Sequence, residues 1–264
     1  MRAVQANQAA GTLAPAARLL FMPGFAPPNG GPDAVLRVAT NELGVVNAVT
    51  SAAEARAAVQ RLAGEGVRHV KAWFDDRRGS YPKLTEETYL AIVDEAHAQR
   101  MTLHTHAITL ADQKVAIRAG TDVLVHMAQR EPLDEEYLAL VREKQLFWAT
   151  VIGLGDPTEV CRPDPFFEQA PPDSVIATIR STMERGARVV LATDTGIQPG
   201  HTFGSGEHVE LARWVQLGMP PADAIVAATS RPAELMGQDD LGSLAPGKRA
   251  SFIVLGRQFK SQAR

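Results

Sequence analysis

The sequence predicts an α/β fold built on a parallel sheet, and three observations carry that prediction. Short β-rich runs alternate with amphipathic stretches along most of the chain, the signature of successive βα units. Glycines stand at or just past the ends of several amphipathic stretches, where a left-handed residue stops a helix. Polar side chains that an apolar interior would reject recur at the ends of the β-rich runs.

Taken in order, Arg18 to Met22 (RLLFM) reads as a strand running into the Gly- and Pro-rich loop PGFAPPNGGP. Ser51 and Glu54 stand at capping-box spacing, so a helix is expected from about Ala52 to Ala63 with Gly64 as its stop. Val67 to Phe74 is the next strand, Thr85 caps a helix to about Gln99, and Met101 to Ala107 is a strand again. The unit repeats with a helix from Leu110 to Ala119 stopped by Gly120, and a strand from Asp122 to Met127. A helix from Leu133 to Lys144 and a strand from Leu146 to Leu154 continue it. After a Pro-rich loop come a helix from about Asp173 to Arg185 and a strand from Arg188 to Thr193. The Gly-rich segment Gly196 to Gly206 then leads to helices near Glu207 to Leu217 and Pro221 to Thr229. Leu43 to Val49 and Ser251 to Leu255 are also β-like, but neither falls in the βα rhythm, so about six strands are expected.

The chain has 264 residues, 27 Lys plus Arg against 30 Asp plus Glu, a net charge of -3, and 45% hydrophobic positions. That length suits a single α/β barrel of roughly 250 residues as well as two small domains. A slightly acidic balance without a dense basic run excludes a nucleic-acid backbone as partner. No apolar stretch approaches the roughly 18 residues of a membrane span, so no membrane helix is expected. The single cysteine, Cys161, excludes an intrachain disulfide. The first twenty residues lack a continuous apolar core for a signal, so the chain is expected in the cytoplasm, although a longer precursor could be exported.

The polar strand ends are Lys71, His104 with His106, His126, and Asp194. His104 and His106 are two apart and share a strand face. Lys71 stands between Val70 and Ala72, where an unpaired ammonium is costly. In a parallel barrel these ends lie on the C-terminal rim, where active sites are assembled from several strands. Imidazole nitrogen and carboxylate oxygen suit a catalytic zinc that keeps one position for water. Lysine fits that set only as a carbamate formed with carbon dioxide, which replaces the costly buried ammonium by an anion with two oxygens.

These segments resemble the metal-dependent amidohydrolase superfamily, in its prolidase-like and imidazolonepropionase-like branches. VKAWFDD resembles the strand with the bridging lysine, HTHAITLADQKVAIRAGTDVLVHM the two following strands with one His each, and ATDTG the last strand with its aspartate. GMPPADAIVAATSRPAELMGQDDLGSLAPGKRASFIVL is similar to the C-terminal signature, with Ser251 in place of the usual Asp. The resemblance implies an amidohydrolase-type (β/α)8 TIM barrel over residues 1–249, incomplete with about six of eight strands, and a remnant of a β-sandwich segment over 250–264. It implies Lys71, His106, His126 and Asp194 as ligands of one or two divalent ions, zinc by preference, and Asp194 as the catalytic proton acceptor. The expected activity is hydrolysis of a C–N bond in a small amide, cyclic amide or dipeptide-like substrate by metal-activated water. The family's first strand bears His-x-His, and no such pair precedes His69. The more buried metal position is therefore expected to be incomplete, and the competing expectation is a truncated, non-catalytic remnant. An open barrel also exposes strand edges, which favours pairing into a homo-oligomer.

His104, His208 and Tyr81 are candidates for the substrate pocket. His69 and His97 read as surface residues, and Asp75, Asp76, Arg77 and Arg78 as a solvated charge run. His201 is a weaker pocket candidate, and Cys161 has no neighbouring His to make it a nucleophile.

Overall fold

Among the described residues, seven strands pair side by side, all parallel, in the computed structural model. It describes residues 2–12, 19–32, 46–77, 79–126, 128, 131, 133–152, 177, 180–195, 204 and 206–254. The strands are β1 (Gly24–Ala26), β2 (Val46–Ala48), β3 (His69–Trp73), β4 (Thr102–His106), β5 (Val123–Val125), β6 (Phe147–Ala149) and β7 (Arg188–Val190). Their order is β2-β1-β3-β4-β5-β6-β7. The helices are α1 (Arg2–Ala9), α2 (Ala52–Gly64), α3 (Glu86–Ala98), α4 (Leu110–Ala119), α5 (Glu135–Lys144), α6 (Gly206–Gln216), α7 (Pro221–Ala228) and α8 (Ser230–Leu235).

Local chemistry sets the helix starts. Ser51, Thr85, Thr109 and Asp134 each accept the backbone N–H three residues on, which satisfies a donor the helix itself leaves unpaired. Glu54 reaches back to the Thr50 N–H at 2.7 Å, closing the first turn from the other side. Gly120 ends α4 with φ 100°, whereas α2 runs through Gly64, and the left-handed glycine is Gly66.

Alternation then divides the sheet into two faces. Val70, Ala72, Leu103, Leu124, Trp148 and Val189 point outward into the main core, against Val59, Leu62, Ile92, Ile117, Val141 and Trp214 of the helices. The inner face carries a second, smaller cluster of Val123, Val125, Ala149, Val151 and Val190. Outer packing is fixed by a buried polar contact, since the Tyr89 hydroxyl and Thr105 Oγ1 lie 2.8 Å apart and Thr121 Oγ1 donates to Thr105 at 2.8 Å.

Two strand expectations change. The first strand is β1 rather than Arg18 to Met22. Gly24 lies so close to the Trp73 ring that any Cβ would overlap it, so pairing with β3 is available there, while Leu20 is exposed. The run Leu43 to Val49 contains β2, a seventh strand that pairs with β1 at the end of the sheet. Ser251 to Val254 is exposed and has no regular structure. Arg18, Arg78, Met127, Gly153, Leu154, Cys161, His201 and most of the expected helix from Asp173 lie outside the described residues.

Candidate active site

Register brings the sequence-predicted residues together on one edge. Lys71 is level with His104, and Trp73 with His106, so all four share the inner face. His106 is level with Val125, and His126 follows directly at the end of β5. Asp194 lies just beyond β7. Strand directions are all the same, so these ends form one rim.

The rim is built from unusual backbone. Arg77, His126, Val151 and Asp194 have φ of 49°, 71°, 53° and 53°, left-handed values that non-glycine residues seldom adopt. For β-branched Val151 the cost is greatest. Such residues persist only where surrounding structure holds them, and they gather at functional sites. His126 is held by its N–H, which donates to Ala149 O at 2.9 Å, and by its carbonyl, which accepts from Trp148 Nε1 at 2.7 Å.

Side chains then meet across the rim. The His106 and His126 rings contact edge to face, with centroids 4.6 Å apart. His126 Nε2 is 3.8 Å from Asp194 Oδ2. His106 Nε2 is 3.1 Å from Asp75 Oδ2, and Arg77 Nε lies 3.0 Å from the same oxygen. Both histidines are buried, as is Asp75. Lys71 Nζ lies 4.9 Å from the centre of the Trp73 ring.

Burial governs the charges. It holds His106 and His126 well below the usual imidazole range, helped by neighbouring cationic or titratable groups and opposed by the Asp194 carboxylate. Both rings are therefore neutral near pH 7. Burial likewise lowers Lys71, with Asp194 opposing the shift and Arg77 reinforcing it. His104 is pushed down to about 3 by burial, then by His69 and Lys71.

A sequence model of the amidohydrolase family matches residues 48–263. The chain belongs to the amidohydrolase family. The chain is 27% identical over 185 residues to a 5-methylthioadenosine/S-adenosylhomocysteine deaminase of Halalkalibacterium halodurans, a match covering 63% of this chain and 40% of that protein. It is 40% identical over 78 residues to an imidazolonepropionase of Rubrobacter xylanophilus, covering 29% and 18% of the two chains. A Xaa-Pro dipeptidase crystal structure with bound methionine superposes with TM-score 0.75 and 25% identity, over 94% of this chain and 64% of that one. The sheet is thus part of an amidohydrolase TIM barrel, and the chain spans less than two thirds of the length of these relatives.

Not every candidate residue of this amidohydrolase chain joins the cluster. Tyr81 is exposed on the loop after β3, and His208 is exposed in the first turn of α6. His104 is buried one pleat below His106, with its Nε2 lacking a hydrogen-bond partner. Two readings of the sequence are corrected. His69 is half-buried and meets the His104 ring edge to face, with centroids 5.8 Å apart, because it shares the inner face with Lys71. Asp75 and Arg77 are not a solvated run: Asp75 is buried against His106. Alternation extended from Lys71 would have found His69 backward and, through Trp73, Asp75 forward on the same face, with Asp76 on the other.

As metal donors, two neutral imidazoles and a carboxylate have the right chemistry, and His126 Nδ1 is buried without a partner. Among the described residues, no three His, Cys, Asp or Glu side chains are placed to hold an ion by themselves.

Proposed function

We propose that this site hydrolyses a C–N bond in a small amide, cyclic amide or dipeptide-like substrate with metal-activated water. The observation that carries the reading is the convergence of His106, His126 and Asp194, drawn from three strand ends, on the rim above Lys71. The relatives' names, a deaminase and a Xaa-Pro dipeptidase among them, support C–N chemistry.

His106 and His126 would hold a divalent cation, zinc by the nature of the donors, together with Asp194 and with Lys71 as its carbamate. When bound, such an ion polarises a carbonyl and lowers the pKa of water to about 7. A lowered Lys71 pKa supplies the neutral amine that carbon dioxide requires; the amine nitrogen bonds to the carbon and one proton is released. Asp194 accepts a proton from the attacking water and delivers it to the departing nitrogen, the general base and acid of one cycle. The apolar inner cluster of Val125, Ala149, Val151 and Val190 keeps bulk water from beneath the site.

The test combines zinc stoichiometry of the purified protein with amine release from N-acyl amino acids, aminoacyl-prolines and cyclic imides. Bound zinc and turnover of one class, lost in Asp194→Asn, are expected. Neither zinc nor turnover in the wild-type protein would leave the non-catalytic reading standing.

A further inference from the structure

Asp75 carries a hydrogen-bond pattern that a surface turn does not need. Its Oδ1 accepts the Arg77 N–H at 3.0 Å, closing a short turn from a side chain to the backbone two residues on. Its Oδ2 faces both Arg77 Nε at 3.0 Å and His106 Nε2 at 3.1 Å. The side chains of Asp75 and His106 are only 2% and 5% exposed, so water does not compete for this contact. The ladder places the pair: Phe74 N–H donates to His106 O at 2.9 Å, one step past the end of β3, which sets Asp75 beside the His106 ring.

We propose that Asp75, braced by Arg77, is the positioning residue for His106, holding its proton on Nε2 and leaving the lone pair on Nδ1. An ionised carboxylate only accepts hydrogen bonds, so the ring nitrogen facing it must be the one that carries hydrogen. The other nitrogen is then the basic one, oriented for a cation or an acidic proton. Carboxylates behind metal-binding imidazoles set tautomer and orientation in the same way. Arg77 compensates the buried carboxylate and holds it between two donors, so the ring cannot swing away without leaving Asp75 short of a partner. The inference deepens the proposed function and rests on it for its consequence, but the tautomer itself does not depend on bound metal.

The experiment reads the His106 ring in the metal-free protein at pH 8 by long-range 1H–15N correlation, with the resonance assigned by its loss in His106→Gln. Wild-type protein should show the Nε2–H tautomer. Asp75→Ala, which removes the acceptor, should lose that preference, and Asp75→Asn should lose it where its amide rather than its carbonyl faces His106. Zinc affinity should fall about 10- to 100-fold in both. A wild-type Nδ1–H tautomer overturns the proposal, without need of any variant, and so does an unchanged tautomer in a folded Asp75→Ala protein. Absence of zinc binding in the wild-type protein counts against the proposed function; the tautomer then decides this inference by itself.

Discussion

His126 Nε2 and Asp194 Oδ2 lie 3.8 Å apart although β6 and β7 intervene between them along the chain. Each residue sits at the end of its strand in a left-handed conformation, so the contact joins two strained points of the rim. At that distance the carboxylate stands beside the imidazole, where its charge opposes the lowering of the His126 pKa by burial.

Replacing Asp194 by Asn keeps the side-chain volume and removes the proton acceptor. The expected kcat/KM on a substrate that turns over falls about 10²- to 10⁴-fold, the usual contribution of a general acid or base. His126→Ala should abolish zinc binding as well, because it removes a donor. Steady-state kinetics with metal analysis separates the two, and an Asp194→Asn enzyme at full rate would exclude the assigned role.

Lys71 gives a spectroscopic prediction. Protein equilibrated with 13C-bicarbonate should show a carbamate carbon resonance that disappears in Lys71→Met, a neutral residue of similar length. Lys71→Arg should lose it too, because guanidinium stays charged and does not form a stable carbamate. If wild-type protein shows no such resonance with zinc present, lysine does not complete the ligand set.

Gly24 tests how β1 is seated. A Cβ there overlaps the Trp73 ring, which shares the inner face with Lys71 and lies level with His106. Gly24→Ala should therefore push the indole from its place and cost about 1–3 kcal/mol, the usual penalty for overpacking. Urea unfolding followed by tryptophan fluorescence reads both effects, and an unchanged midpoint and spectrum would show that the strand has room.

The placement of Lys71, His106, His126 and Asp194 on one side of the sheet was legible because each is a polar interruption within or just past an apolar strand run, a conflict visible in a few neighbouring letters. Asp75 was missed because four successive charges look like a solvated turn, and what buries one of them is His106 on the next strand. β2 was missed for a similar reason: its identity rests on pairing with β1 rather than on its neighbours in sequence. Tyr81 and His208 were chosen for lying near rim segments in sequence, and both side chains are exposed.

Acid stability follows from the buried rings. In the unfolded chain each histidine titrates near its ordinary value of about 6.5. His104, His106 and His126 have lower values when folded, so below about pH 6.5 the unfolded state binds protons that the folded state refuses. Stability of the metal-free protein is therefore full above that value, with respect to these groups, and is lost as the pH falls. The slope is about 1.4 kcal/mol per pH unit for each ring, so about 4 kcal/mol per unit where all three differ in protonation. For His104 the loss continues down to about pH 3. The half-buried His69 acts in the same direction. Urea midpoints taken from pH 7.5 to 5.5 should fall steadily, and His104→Gln should flatten the dependence by about a quarter to a third, because one of the four rings with a lowered pKa is gone. A midpoint constant across that range would mean that the folded protein protonates these histidines as readily as the unfolded chain, and the interior charges described for the rim would be wrong.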